Sequence, residues 1–330
     1  MAQENNDIYK EKCYSGHLKN QGTLMLSSSG GFVYALCESF LSSDGVVYGV
    51  TFDDDYMGAS WIRITVPEDL RYIQGTKYIK SNLKMKNSNV SVYDSVIHDI
   101  SMGHKVMFCG LPCEVGGLRA RIKTLTTDNL LCVDLICQGT GQLKVYNDFI
   151  GNLKRKYKSE ISSIIMRFKN PDWVHPYMRI QFVNGKIYQE PLQNTSFWSG
   201  IVNVPMKSCT MCRFKGDGHL SDITCGDHWG VDASSSTYDI NGTSIAITHT
   251  VLGEKAIQKL SNVSIEEVCV NDALAHNPRY YKSVVVDEYK LRYQRIYNKK
   301  GLEYAHKHRF SPKQRLKMML PKTIIQRLEK

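Results

Sequence analysis

Two cysteines three positions apart, Cys209 and Cys212, open the stretch KSCTMCRFKGDGHLSDITCGDHWGVD from Lys207 to Asp232. Two thiolates at that spacing can grip one soft metal centre from a single tight loop. A pair is only half a site, and the segment from Asp222 to Gly230 reads as a polar, glycine-punctuated turn. The other ligands must therefore come from elsewhere in the chain, and the surrounding elements decide which cysteines can reach.

Two βα units stand out. Residues 105–109 read as a strand followed by a helix over 114–123, and 130–136 as a strand followed by a helix over 142–158. Strands alternating with helices of this length predict parallel neighbours in an α/β sheet. Cys113 lies just past the first strand, at the start of the next helix, and Cys137 lies at the end of the second. Both thiols would emerge at the carboxyl edge of the sheet, where open α/β sheets bind ligands. The helix start is expected to favour the Cys113 thiolate. Cys132 lies five positions before Cys137 on one strand, about 16 Å away at strand rise, and is expected in the core. Cys37, in an apolar helix, and Cys269, in a strand, read as small packed hydrophobes. Cys13 stands alone, and Cys109 and Cys225 are reserves close to chosen ligands. The favoured set is Cys113, Cys137, Cys209 and Cys212. Four thiolates leave structural zinc and an iron–sulfur cluster both open. Two ligands arriving singly from sheet edges suit a cluster better than a folding staple.

Elsewhere the pattern predicts a helix over 30–42 entered from Ser27-Ser28-Ser29, whose hydroxyls offer N-caps. Antiparallel strands follow at 46–51 and 60–66, then a short helix from Pro67 and another over 92–101. Strands at 161–168, 177–182 and 186–188 turn at Asn184-Gly185. Further on come a strand over 244–250, a helix over 254–261 and a strand over 264–270. The fold class is thus mixed α/β (α+β): a central sheet with parallel βα units plus antiparallel strands, and a basic helical C-terminal tail.

The chain has 330 residues, 42% hydrophobic and 22% charged, enough for a sizeable core. Its net charge of +10 is uneven. Residues 289–330 hold 13 Lys or Arg against two acids, and the remainder holds 29 bases against 30 acids. The body is neutral and the tail carries the charge. No apolar run of signal-peptide or membrane-span type occurs, so a cytoplasmic protein with reduced thiols is expected. No G-x-G-x-x-G, Walker loop or G-x-S-x-G occurs, against dinucleotide-fold, NTPase and hydrolase readings.

Several blocks together resemble the coenzyme F420 hydrogenase/dehydrogenase beta-subunit family. They are Ser27-Ser28-Ser29-Gly30-Gly31-Phe32, Gly45-Val46-Val47-Tyr48-Gly49 and Gln74-Gly75-Thr76-Lys77-Tyr78-Ile79-Lys80-Ser81. Gly110-Leu111-Pro112-Cys113, Val133-Asp134-Leu135-Ile136-Cys137-Gln138-Gly139, Phe168-Lys169 and the segment from Cys209 to Gly230 complete the set. Order and spacing hold from about residue 13 to 250. The resemblance implies FAD beside one 4Fe–4S cluster, with Cys113, Cys137, Cys209 and Cys212 at the family's cysteine positions. By the same carry-over, Ser29, Gly30 and Gly31 seat an anion at a helix start, and Lys77 and Tyr78 lie at the cofactor. Asp222 and Asp227 shape the turn after the pair and bond the cofactor. No catalytic residue is assigned. Lys77 as a merely solvated lysine is the competing reading.

There are departures. No cysteine-rich ferredoxin-like segment precedes Ser27, so electrons are expected from a separate ferredoxin-like protein. Cys137-Gln138-Gly139 replaces the more usual Cys-His-Gly, which puts substrate and donor in question. Short relatives resemble proteins of exopolysaccharide gene clusters, which implies capsular or exopolysaccharide biosynthesis. The expected division is an N-terminal segment (1–26), a flavin and iron–sulfur core (27–288, with an internal boundary near 100–105) and the basic tail (289–330). Apolar and basic residues mixed over 312–330 suit peripheral association with the inner membrane face, the alternative being a helix packed on the body. Nucleic acid is not expected as a partner. The rival to the enzyme is a zinc-stabilised, non-enzymatic scaffold of a glycan assembly complex.

Overall fold

The computed structural model describes residues 9–122 and 128–310. The chain enters the large sheet with β1 (Lys12–Leu18) and turns through α1 (Gln21–Leu26). It continues with α2 (Phe32–Leu41), β2 (Val46–Phe52) and β3 (Ala59–Ile64). After a 3-10 turn over Pro67–Tyr72 come α3 (Val92–Ser101), β4 (Val106–Gly110), α4 (Pro112–Arg121), β5 (Leu130–Leu135) and α5 (Leu143–Tyr157). A separate antiparallel sheet of β6 (Ile161–Phe168), β7 (Tyr177–Phe182) and β8 (Ile187–Pro191) precedes α6 (Ser196–Asn203). The chain returns to the large sheet with β9 (Ile223–Asp227), β10 (Ser244–Thr248), α7 (Val251–Gln258) and β11 (Val263–Val268). It then continues with α8 (Val270–Leu274), α9 (Glu288–Lys300) and α10 (Leu302–Lys307).

The large sheet has eight strands in the order β11-β1-β10-β9-β5-β4-β2-β3. Strands β2, β4, β5 and β9 are mutually parallel, and antiparallel neighbours complete both sides. The mixed α/β class and the parallel β4–β5 pair are therefore as expected. The centre is apolar on both faces, as a sheet covered on two sides must be. On one face α2 packs with Met107, Leu131 and Val133. On the other, α3 and α4 cover Phe108 and Cys132, where Trp61 stacks on Phe108 at 4.4 Å between ring centres. A second core joins the small sheet to α5, α6, α9 and α10 around Tyr146, Phe149 and Phe197.

Several expectations are corrected. The segment read as a turn from Asp222 to Gly230 contains β9, a central strand between β5 and β10. Strand β1, within the expected N-terminal segment, lies between β10 and β11. The serines before α2 are not its caps. The N-cap is Gly31, in the left-handed region at φ +84°, with no side-chain cap. Ser27 instead bonds back to the Thr23 carbonyl. Helix α7 begins at Val251, three residues earlier than expected, because Thr250 caps it by accepting the Gly253 N–H.

The expected internal boundary near 100–105 falls between α3 and β4, and β4 is hydrogen-bonded between β2 and β5. At the far end, α9 and α10 bury Tyr293, Tyr297, Leu302 and Ala305 in the second core. The first half of the basic segment thus packs on the body. The amphipathic stretch over 312–330 lies outside the described residues. Among the described residues no helix is long and apolar enough to cross a membrane.

Candidate functional site

Gly110 of β4 pairs with Asp134 of β5, so the residues that follow each strand leave the sheet at one edge. Cys113 is the second residue of α4, whose entry is fixed by Pro112 and by the Leu111 N–H donating to Glu114 Oε2 at 2.8 Å. Cys137 follows β5 by two residues. A third segment brings Cys209 on a 3-10 turn, Lys207–Met211, with Cys212 immediately after it. The Met206 N–H donates to the Thr140 carbonyl at 2.8 Å and the Val284 N–H to the Cys209 carbonyl at 3.2 Å. The Cys212 N–H donates to Ser283 Oγ at 3.2 Å. These bonds hold the loop between Thr140, shortly after Cys137, and the Ser283-Val284 segment.

Donors aim at three of the four sulfurs. The Gly139 N–H reaches Cys137 Sγ at 3.3 Å, the Thr140 N–H reaches Cys209 Sγ at 3.5 Å, and Lys80 Nζ reaches Cys113 Sγ at 3.7 Å. The thiols also lie in one another's fields. Burial pushes Cys137 up to about 11, against the Gly139 N–H and Lys215, and charge on Cys113 and Cys209 adds to the rise. Burial likewise raises Cys113, opposed by Lys80 and reinforced by Glu114, Cys212 and Cys209. The expectation that the α4 start lowers the Cys113 thiol is not met: although Cys113 is exposed, its thiol is raised, first by desolvation and then by Glu114, Cys212 and Cys209. Lys80 is itself held above its ordinary value, since Glu114 and Cys113 overcome the cost of its burial. Among the described residues no three His, Cys, Asp or Glu side chains are drawn tightly enough to hold one metal ion.

The remaining cysteines divide cleanly. Cys132 is fully buried beneath α4, as expected. Cys37, Cys225 and the partly buried Cys109 share the core under α2, where burial lifts Cys109 to about 12 and the other two well above their ordinary value. Cys13 is buried in β1. Cys269 departs from expectation: it lies just past β11, at the N-cap of α8, and is exposed.

A cleft of about 410 Å³ opens at the carboxyl end of β2, lined by Leu26, Ser28, Phe52, Gln74, Lys77 and Arg167 among others. Lys77 Nζ donates to the carbonyls of Ile73, Gln74 and Gly75 at 3.0, 3.1 and 3.3 Å. Burial lowers its ammonium to about 7, and no carboxylate faces it to offset the cost. The Tyr78 N–H donates to Met166 Sδ at 3.2 Å, and its ring meets Trp198 edge-on.

The other residues expected at a cofactor engage protein atoms. Ser29 Oγ donates to the Thr243 carbonyl at 2.8 Å, and its own carbonyl accepts from Lys169 Nζ at 2.9 Å. Gly30 lies so close to the Gly16 carbonyl and the Ser244 N–H that any side chain would collide with them. Gly31 has both a positive φ and Leu18 against the place of a Cβ. Asp227 takes Arg167 Nη1 on both oxygens at 3.0 Å, and Arg167 also donates to the Trp173 carbonyl and faces the Trp229 ring. Asp222 accepts the Cys132 N–H at 2.7 Å, Arg119 Nη2 at 2.8 Å and Thr250 Oγ1 at 2.9 Å. Asp222 precedes β9 and Asp227 ends it, so the two do not meet one group.

Residues 103–272 match the family model for the C terminus of the coenzyme F420 hydrogenase/dehydrogenase beta subunit. The chain belongs to this family. The matched stretch runs from Gly103 into α8 and contains Cys113, Cys137, Cys209 and Cys212. The resemblance read from the sequence is thereby borne out, and with it the broad redox character of a hydrogenase or dehydrogenase beta subunit. A chain of the F420-reducing [NiFe] hydrogenase complex from Methanosarcina barkeri, solved as a xenon derivative, has a similar fold. The TM-score is 0.51 at 16% identity, with 89% of each chain covered. At that identity the likeness speaks to fold alone. No curated protein matches the chain.

Within this beta-subunit frame, sequence reasoning assigned no role to Arg167, Lys169, Lys80 or Glu114. Lys80 and Lys169 stand inside the family blocks, and Glu114 directly follows Cys113, so their places were legible. Their partners were not, because they come from distant segments: Asp227 of β9 for Arg167, the Leu24 and Ser29 carbonyls for Lys169, and Lys80 and Glu114 for each other.

Proposed function

We propose that this beta-subunit relative is an iron–sulfur flavoprotein oxidoreductase. Cys113, Cys137, Cys209 and Cys212 would hold one 4Fe–4S cluster, and the cleft beside Lys77 would hold FAD. The observation that carries the reading is that cysteines from three chain segments lie in one another's fields beside one sheet edge, with N–H donors aimed at three of the four sulfurs. Such donors suit a cluster, whose anionic sulfurs they stabilise. Four thiolates around one zinc at 2.3 Å would stand only about 3.8 Å from one another, tighter than a multi-atom cluster requires.

When bound, the flavin supplies two-electron chemistry and the cluster single-electron transfer. The chain's own residues bind and orient. Lys80 and Lys215 bring positive charge to the cysteine edge, Lys215 through the Cys137 carbonyl at 2.6 Å. Lys77 brings an ammonium into the cleft, a partner for an anionic part of the cofactor. Arg167, fixed by Asp227, forms a rigid wall. Asp227 holds Arg167, the Ser29 carbonyl holds Lys169, and Asp222 braces β9 against β5 and α4.

Electrons would pass between a ferredoxin-like carrier protein, or reduced deazaflavin, and a two-electron acceptor. The setting would be the cytoplasm, in capsular or exopolysaccharide assembly. Anaerobic purification followed by absorption spectra before and after dithionite tests the reading. Flavin bands with a broad brown shoulder, both bleaching, are expected. A colourless protein after reconstitution with iron, sulfide and FAD overturns it.

A further inference from the structure

One polar chain runs through the otherwise apolar sheet behind the cysteine edge. Asp134, fully buried near the end of β5, accepts Thr224 Oγ1 at 2.6 Å and pairs with His219 Nδ1 at 2.8 Å. Thr224 Oγ1 also lies 2.8 Å from His249 Nε2, and His249 Nδ1 lies 2.6 Å from Glu11 Oε1. Glu11 is about half exposed, with 49% of its side chain open to solvent. Solvent and a wholly buried carboxylate are therefore joined by three consecutive short hydrogen bonds. Every member of the chain can both give and receive a proton.

We propose that Glu11, His249, Thr224 and Asp134 form a proton path that protonates Asp134 when the neighbouring redox centre gains an electron. The proposal rests on the reading of the cysteine edge as a redox centre. In the inward step, Glu11 takes a proton from solvent and hands it to His249 Nδ1, returning to a carboxylate. His249 passes its Nε2 proton to Thr224 Oγ1, and Thr224 passes its hydroxyl proton to Asp134, which becomes a carboxylic acid. Each intermediate group loses one proton and gains one.

The acid–His–hydroxyl order resembles a nucleophile triad, but Thr224 is completely buried and its hydroxyl is committed to Asp134, so it cannot meet a substrate. Cys137 follows Asp134 by three residues, and Cys113 follows its register partner Gly110 by three. Both sulfurs are thus within roughly 10 Å of chain reach. A unit charge at about that range through protein shifts a proton affinity roughly tenfold. His219 connects the two regions directly: its ring stacks on Tyr280, whose carbonyl accepts the Gly216 N–H beside Lys215.

The other titratable groups facing this chain are Cys109, Cys132, Cys225 and Tyr280, with Asp217 and Tyr281 facing Tyr280. Burial lifts Cys109 and Cys132 to about 12 and raises Cys225 and Tyr280 as well, so these four stay neutral between pH 6 and 8.

The test is spectroelectrochemistry of the cofactor-loaded protein from pH 6 to 8, with stopped-flow proton uptake read by a pH dye. One proton per electron makes the wild-type midpoint potential fall by up to 59 mV for each tenfold drop in proton concentration. Asp134→Asn, which keeps the side chain's shape, flattens that slope. Thr224→Val keeps the slope but slows proton uptake at least tenfold, and Glu11→Gln, a surface change that leaves folding intact, slows it less. A loaded protein with a pH-independent potential, or an unchanged slope in Asp134→Asn, overturns the proton path alone. A protein that takes up no redox centre overturns the path and the functional reading together, and the visible spectrum tells the two failures apart.

Discussion

Asp222 lies in a buried position that its sequence context, a polar run before a glycine, does not announce. Its two oxygens accept three bonds, from the Cys132 N–H, Arg119 and Thr250. They tie the start of β9 to β5, α4 and the cap of α7. Asp222→Ala strands the Cys132 N–H in the sheet interior and leaves Arg119 without its carboxylate. An orphaned buried donor costs about 1–3 kcal/mol, and removing one partner of a buried ion pair about 3–5 kcal/mol in all. Arg119 retains some solvent access, so the total belongs near the lower end of that range. For a chain of this size 1 kcal/mol corresponds to about 2 °C, so Asp222→Ala should melt about 6–8 °C below wild type. Asp222→Asn keeps one acceptor but turns an amide N–H₂ toward a donor, and should lose about 4–6 °C on the same scale. The assay is thermal unfolding followed by circular dichroism, with Arg119→Leu and the double variant closing a cycle. A coupling of about 1–3 kcal/mol is expected between the two residues. A wild-type melting temperature in Asp222→Ala, with loss of bound flavin, would refute the brace and return Asp222 to the cofactor.

Lys169 is buried against the carbonyls of Leu24 and Ser29, and burial together with Arg167 lowers its ammonium to about 7. The unfolded lysine keeps its proton to about 10.5, so between pH 7 and 8.5 the unfolded chain binds more protons and stability rises with pH. The slope for one such group is at most about 1.4 kcal/mol per pH unit, and Lys169→Met should reduce the rise in melting temperature over that window. Gly31→Ala should destabilise by about 1–2 kcal/mol through its positive φ, with a further penalty from Leu18, read as a lowered melting temperature. Cys269, exposed at the start of α8, should be alkylated in the native protein, whereas buried Cys13 and Cys132 should react only after unfolding, as peptide mass mapping would show.

Legibility from sequence tracks where structure is locally encoded. The β4-α4-β5-α5 run could be read because each strand is a largely apolar stretch, broken only by Asp134 in β5, and each helix has its own boundary residues. Parallel pairing then placed Cys113 and Cys137 at one edge without further information. Strands β1 and β9 could not be read this way. Ile223-Thr224-Cys225-Gly226-Asp227 is short, contains a glycine and is flanked by aspartates, so local propensity points to a turn. Its neighbours β5 and β10 make it a strand, a tertiary override of a weak local preference. Missing β9 had a direct consequence. Asp222 and Asp227 looked like two sides of one turn, when Asp222 precedes and Asp227 ends a five-residue strand. The carboxylate partners of Arg119 and Arg167, and the Asp134–His249 chain, likewise depend on that strand.

The central claim is that four particular cysteines hold one cluster. Iron and acid-labile sulfide per chain should be measured in the anaerobically purified protein and in single Cys→Ser variants at 113, 137, 209 and 212, with Cys109→Ser and Cys225→Ser as controls. The account predicts about four irons and four sulfides in the wild type and in both controls, and a marked loss in each of the four variants. Stoichiometric zinc without sulfide, or full iron retention in the Cys209→Ser protein, would contradict it.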